Sequence, residues 1–433
     1  MFQTHLDLGF EQVRFHGIFA DDMSVVLPGD SGSLDYSYYN IFKIYDFLVS
    51  IGMKPLIEIG LMPSLLASGN KTWAHFGANV TPPKSLSAWA DFISDFVKNL
   101  ILRYGQAEVE TWSFEIWNEP NCCPHDFWSG SMEDYFVFFN WTSRAIKSVD
   151  PNLKVGGPTT AMSAWIDLFL AWNKNNNVPF DFISTHEYPT DPPGPQSRTF
   201  FRDALQKTRD TVGKDMPIFY TEYDDGYNDA TSYAAAFAVF TIYSSHGIVD
   251  LLSWWPFSDI FEEQGLRSNP FSDNGWLPVA GLQNIYGIPK PSYRAFQLLH
   301  WTGNQILKTT PDFYFYQTAS VFAVGGNHTS IFVINWDVKP NPIAPVEVTI
   351  EVFAVDTKTV KAVLYAIDDN HVSAYQYWVK IGKPFYLTPD QVQQCKMASE
   401  LVPEPLNFSV TSSNSISFTL TVPPQAVYNV VLL

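Results

Sequence analysis

The 433-residue sequence places two glutamates where the chain leaves a run of strand-forming residues. Residues 112–116 lead into Asn118-Glu119-Pro120-Asn121, and residues 217–221 lead into Glu222-Tyr223, 103 positions after Glu119. In a parallel α/β fold, carboxylates that follow a strand lie on the face where such folds carry their chemistry. Two of them across one sugar can divide the work of cleaving a glycosidic bond. One, protonated, assists the leaving oxygen, and the other, ionised, attacks the anomeric carbon. Taken singly, a strand-end Glu before Pro or Tyr is more often a solvated loop charge; the joint placement in an aromatic-rich barrel pattern favours hydrolysis.

Other reactive side chains cluster at similar places. His16 and Asp22 follow the first strand-like run, His186 and Tyr188 the fifth, and Trp254, Trp255, Glu262 and Glu263 the seventh. Each has an ordinary alternative: a loop hydrogen bond for the histidines, core packing for the tryptophans and Tyr188, a surface acidic pair for Glu262 and Glu263. Cys122 and Cys123 come after the Asn-Glu-Pro turn, near His125 and Asp126. Adjacent thiols chelate a single zinc poorly, because usable pairs are normally about two to four residues apart. They read as loop residues, and no metal or cofactor is expected.

The elements that must position these groups follow from periodicity. Between Phe10 and Leu307, short β-branched and aromatic runs alternate with longer amphipathic segments, the pattern of a parallel sheet covered by helices. Strands are predicted at 12–16, 54–59, 112–116, 153–156, 182–185, 218–221 and 251–255, with helices at 36–51, 86–103, 133–149, 201–212, 233–246 and 292–307. A (β/α)8 TIM barrel has eight strands, so the pattern reads as an α/β barrel lacking its first strand-helix unit, with two edges left unpaired. Counted from a lost first strand, Glu119 and Glu222 end strands four and seven, which oppose each other. Residues 1–307 form this N-terminally incomplete barrel. Residues 308–433 carry alternating strands separated by proline-rich turns and read as a C-terminal antiparallel β-sandwich.

With 44 acidic and 26 basic side chains the net charge is −18, which argues against nucleic acid and anionic membranes as partners. Aromatic residues make up 16%, including 14 Trp, which suits stacking against flat sugar faces. Three cysteines exclude a disulfide framework as the main source of stability. No apolar run is long enough to span a membrane. Sequons occur at Asn70, Asn79, Asn140, Asn327 and Asn407. An extracellular or lysosomal glycoprotein is expected, its signal segment not part of this sequence, with an upstream strand and helix ahead of Met1. Oligomeric state is left open.

These blocks resemble glycoside hydrolase family 39, which holds β-xylosidases and α-L-iduronidases. The likeness runs through Val13-Arg-Phe-His-Gly17 with Asp21-Asp22-Met23, Lys54-Pro-Leu-Ile-Glu-Ile-Gly60 with Met62-Pro63-Ser64, and Asn79-Val-Thr-Pro-Pro-Lys84. It continues through Phe114-Glu-Ile-Trp-Asn-Glu-Pro-Asn121, Lys154-Val-Gly-Gly-Pro158, His186, Thr221-Glu222-Tyr223, Phe257-Ser-Asp-Ile-Phe-Glu-Glu263 and Pro289-Lys-Pro291. The resemblance implies a retaining glycosidase with Glu119 as acid/base, Glu222 as nucleophile and Asn118 on the sugar 2-hydroxyl. It implies further that His186 and Tyr188 line the sugar site and hold the nucleophile, and that Glu262 or Glu263 accepts from ring hydroxyls. Trp255 is expected as a stacking face and His16 as a wall of the pocket. Acidic loops after the strands, including Asp224 and Asp225, disfavour a uronate and point to terminal β-D-xylosyl groups. The alternatives are an α-L-iduronidase-like enzyme, a glucoside- or galactoside-cleaving barrel, and an inactive carbohydrate-binding relative.

Overall fold

The computed structural model describes residues 2–122, 127–191, 196–227, 230–260, 271, 281–310, 318–339 and 341–433. Glu262, Glu263, Cys123, His125 and Asp126 lie outside them. Seven parallel strands form one curled sheet whose spatial order follows the chain: β1 (Gln12–Val13), β2 (Lys54–Ile59), β3 (Ser113–Ile116), β4 (Lys154–Thr160), β5 (Phe182–His186), β6 (Ile218–Tyr223) and β7 (Leu251–Trp254). Each predicted strand is present. The first is shorter than expected: 14–16 leave the ladder to place Arg14 and His16 at the site.

Helices cover the sheet where the 3.6-residue period placed them. In Leu86–Tyr104 the buried residues are Trp89, Phe92, Ile93, Phe96, Val97 and Leu100, the one face that the spacing predicts. Burying each stabilises the fold by roughly 1.5–3 kcal/mol before entropy is counted. Ser85 caps this helix by accepting from Ala88 N at 3.3 Å, and Gly105, with φ +85°, ends it.

The sheet does not close. Among the described residues β1 pairs only with β2, and β7 only with β6. A cavity of about 920 Å³ lies between these two edges, lined by Phe10, Val13, Phe15, Phe47, Leu252 and Trp254. It reaches Arg14, His16, Thr221 and Glu222. No helix among the described residues is long and apolar enough to cross a membrane.

The sequence expects a helix over 292–307, but the helix is Pro291–Trp301, and Gln305–Leu307 is the strand β8 of the second body. The break has a steric cause. Gly303 packs so closely on the neighbouring strand that a Cβ there would stand 1.9 Å from Gly325 O. The second body has a six-stranded antiparallel sheet: β8, β9 (Ala319–Gly325), β10 (Thr329–Asn335), β16 (Ala426–Leu432), β12 (Ala362–Ile367) and β13 (Glu404–Pro405), in spatial order. A three-stranded sheet faces it, of β11 (Val346–Phe353), β15 (Ser415–Val422) and β14 (Ser409–Ser412). Two helices, Ala374–Lys380 and Pro389–Ala398, interrupt this β region where only strands are expected. The bodies share a core, with Trp336 packed against Phe237 and Phe240. Arg198 pins the junction by donating to Trp336 O at 2.6 Å, Thr318 O at 3.0 Å and Ser320 Oγ at 2.8 Å.

Candidate active site

The turn after β3 holds Asn118 and Glu119 in an uncommon backbone. Trp117 and Glu119 have φ of +72° and +39°, a region that costs an L residue about 1–3 kcal/mol. Hydrogen bonds fix it: Trp117 Nε1 donates to Phe127 O at 2.7 Å, and Glu119 N to Thr159 O at 2.8 Å. Glu222 needs no such turn, because it lies within β6 beside His186 of β5 in the sheet register.

The two carboxylates meet. One oxygen from each of Glu119 and Glu222 and a ring nitrogen of His186 all lie within 4.8 Å of one another. Oxygens this close suit the retaining arrangement, with carboxyl groups about 5–5.5 Å apart, better than the inverting one at about 6.5–9.5 Å. A cation could reach the same three atoms, but Glu222 already carries the Arg14 guanidinium, and no metal is assigned.

Arg14 organises the centre, and reasoning from the sequence passed over it. Its Nη1 donates to Glu222 Oε1 at 2.6 Å, its Nη2 to Asn118 Oδ1 at 2.9 Å, and its Nε to Glu115 Oε2; Nη2 is also 2.9 Å from Glu58 Oε2. Glu58 and Glu115 face each other across the β2–β3 ladder, and neither side chain is exposed at all. A charged residue inside each of two buried strands was the available signal. Buried carboxylates require partners.

Around Glu222 the remaining contacts come from His16, His186 and Tyr188. Tyr188 OH donates to Glu222 Oε2 at 2.8 Å, and His186 Nδ1 stands 3.5 Å from the same oxygen. His16 puts Nε2 3.5 Å from Glu222 Oε1 while Nδ1 contacts Glu58 Oε2 at 2.6 Å. Burial by itself would raise the Glu222 pKa, but His186, Arg14, His16 and the Tyr188 hydroxyl outweigh it and hold the carboxyl well below its usual range. His186 bonds Glu119 Oε1 through Nδ1 at 2.9 Å, closer than it stands to Glu222. Burial opposes its charge, yet Glu222 and the hydrogen-bonded Glu119 raise its pKa.

The other predicted positions divide. Asn118 is buried and gives its oxygen to Arg14, which leaves Nδ2 to donate to a sugar. Trp255 stands edge-on to Tyr188, ring centroids 6.3 Å apart, and lines the cavity that reaches Glu222. Trp254, partly buried, also lines that cavity but packs its ring against Tyr223 and Phe296. Asp22 is exposed. Cys122 is disulfide-bonded, so it offers no thiolate for a metal. The acids after the strands carry less charge than their number suggests. Burial and the neighbouring Glu119 push Asp191 up to about 7, and burial with Asp225 pushes Asp224 well above its ordinary value. Glu187 is also buried and bonds Ser163 Oγ at 2.6 Å.

Residues 2–414 match the family Glycosyl hydrolases family 39. The chain belongs to that family. Among its relatives, a β-xylosidase of Caldicellulosiruptor saccharolyticus is 40% identical over 464 aligned positions, covering 98% of this chain and 89% of its own. A β-xylosidase of Geobacillus stearothermophilus is 30% identical, covering 89% of this chain and 79% of its own. The crystal structure of a monomeric β-xylosidase from Caulobacter crescentus CB15 superposes with a TM-score of 0.86 at 30% identity, over 100% of this chain and 91% of that one.

Proposed function

We propose that this family 39 glycosyl hydrolase is a retaining β-xylosidase that removes terminal β-D-xylosyl groups, with Glu222 as nucleophile and Glu119 as acid/base. The observation that carries the reading is the carboxylate pair within 4.8 Å, one member held ionised by Arg14, His16 and Tyr188. In the first step a Glu222 oxygen bonds the anomeric carbon while the glycosidic bond breaks and Glu119 gives its proton to the leaving oxygen. In the second, water gives a proton to Glu119 as its oxygen bonds the anomeric carbon and the ester to Glu222 breaks. Two inversions return the original configuration. Asn118 Nδ2 binds the 2-hydroxyl, and Trp255 walls the sugar.

A neutral pentose is favoured over a uronate. Glu58, Glu115, Glu222 and Asn118 take four of the five N–H donors of the guanidinium at the site, so it cannot form a bidentate pair with a substrate carboxylate. Secretion as a glycoprotein belongs to the same reading: the sequons at Asn70, Asn327 and Asn407 are exposed, whereas Asn79 is buried and bonded to Gly69 O. Its test is a mass shift on deglycosylation of protein from a secreting eukaryotic host.

The deciding experiment is hydrolysis of an aryl β-xyloside followed by NMR of the first-formed sugar. The β-anomer is expected first. Glu222→Gln and Glu119→Gln should each lose activity, the latter by about 10²–10⁴-fold with a poor leaving group. Product of inverted configuration, or saccharide binding without turnover, would overturn the proposal.

A further inference from the structure

The protonation of the acid/base depends on a chain of hydrogen bonds behind it. A threonine hydroxyl has a single hydrogen to donate. Thr221 Oγ1 lies 2.6 Å from Glu115 Oε1, and the other oxygen of Glu115 is taken by Arg14 Nε. A carboxylate paired with Arg14 can only accept, so the Thr221 hydrogen points to Glu115. What Oγ1 turns toward His186 Nε2, 3.1 Å away, is therefore a lone pair, and Nε2 must carry hydrogen. The opposite nitrogen, Nδ1, faces Glu119 Oε1 at 2.9 Å and Glu222 Oε2 at 3.5 Å. With Nε2 already protonated, one further proton lies between Nδ1 and Glu119.

We propose that Glu115 and Thr221 are positioning residues that lock His186 in its Nε2–H form, so that His186 and Glu119 hold one proton in common before the glycosidic oxygen takes it and again once water has returned it. The inference rests on the retaining-glycosidase reading and deepens it. During glycosylation the shared proton leaves Glu119 for the glycosidic oxygen while Glu222 loses its charge into the ester. One carboxylate charge disappears beside His186 and another appears beside it. When water attacks, its proton returns to Glu119 and Glu222 regains its charge. Between those two transfers Nδ1 carries no hydrogen and turns a lone pair to the Glu119 carboxylate, so the pair is poised to recover its proton from the attacking water.

The groups facing His186 agree with this role. Glu119 and Glu222 favour a proton on its ring, Asp191 adds to their field, and Arg14 opposes it. Thr221 supplies the acceptor on the far side. The raised pKa of His186 is consistent with an imidazole that shares the proton with Glu119 before its transfer.

Glu115→Gln tests the chain at its root. Arg14 Nε demands an acceptor, so the amide oxygen turns to Arg14 and its NH2 to Thr221. Thr221 must then point its hydrogen at His186 Nε2, and the ring hydrogen moves to Nδ1, where it holds Glu119 as the anion. Thr221→Val removes the acceptor at nearly unchanged volume, and Thr221→Ser restores it. The readout is kcat/KM across pH on phenyl and 2,4-dinitrophenyl β-xylosides, since the second leaving group needs no proton. Both Glu115→Gln and Thr221→Val should lower the phenyl rate about tenfold or more relative to the dinitrophenyl rate, in line with loss of a hydrogen bond to a charged group. Thr221→Val should also move the alkaline limb down by about one pH unit, and Thr221→Ser should stay within about threefold of the native enzyme. Equal losses on both substrates, an unmoved alkaline limb, or failure of serine to rescue would overturn the proposal. Native enzyme that cleaves neither substrate would overturn the glycosidase reading itself, a different outcome.

Discussion

Replacing Arg14 with methionine keeps much of the side-chain volume and removes the cation on which the centre is assembled. The guanidinium is 4% exposed and bonds Glu58, Glu115 and Glu222, whose side chains are 0%, 0% and 7% exposed. Removing one partner of a buried ion pair costs about 3–5 kcal/mol, because the other charge is left uncompensated. Here three carboxylates lose it together, and among the described residues the rings of His16 and His186 stand beside them. The carboxylates can respond by binding protons, which caps the loss near that range at about pH 7. The sign with pH follows from Glu222, whose pKa is depressed in the native protein. Its stabilising contribution is fully present above the ordinary carboxylate range and fades as pH falls through the depressed value. The gap between native and Arg14→Met should therefore be widest near pH 7 and narrow as the pH falls from 4.5 toward about 2. Urea unfolding followed by tryptophan fluorescence at three pH values measures it. A difference below about 1 kcal/mol near pH 7, or one that ignores pH, would refute the reasoning. Arg14→Lys should fall between, since an ammonium is a point charge and cannot present a planar fork to three acceptors.

Tyr188→Phe removes the 2.8 Å bond to Glu222; the acid limb of kcat/KM should rise by about one pH unit with little loss of stability, and an unmoved limb would count against the role given to this hydroxyl. Glu187 is pushed up from 4.5 to about 7 by burial. The folded protein therefore holds an extra proton, and stability should decline as pH rises between those values. Glu187→Gln should abolish that decline and gain up to about 3 kcal/mol near pH 8 but little near pH 4, as paired unfolding curves would show. Gly303→Ala should destabilise the second body by about 1–3 kcal/mol or more, since its Cβ would meet Gly325 O at 1.9 Å; an unchanged melting temperature would contradict the close approach.

The strands and helix faces of the barrel were legible because they are local. A buried helix face repeats every three or four residues, and a buried strand is a short apolar run, so Lys54–Ile59 and the face of Leu86–Tyr104 stand out without a partner in view. Glu119 and Glu222 were legible for a related reason: each follows such a run, and the order of a parallel barrel says where strand ends lie. The two helices inside the second body were not, because a short amphipathic segment among strands has no periodicity long enough to separate it from a turn. Neither was Gln305–Leu307, whose assignment to a strand depends on Ala323–Gly325 being beside it.

The charged centre belongs to the tertiary structure alone. In the sequence Glu58 and Glu115 are acids inside apolar runs and Arg14 stands between Val13 and Phe15, and nothing local says which charge meets which. Their meaning arises when β1, β2, β3 and β6 bring together residues 44, 57 and 107 positions apart, so that one guanidinium serves three buried carboxylates. The same is true of the proton on His186, which is decided by Thr221 and Glu115. Sequence selects which residues can ionise, whereas burial and neighbours select which of them do, because the energy of a charge depends on distance and dielectric and neither is written in the chain.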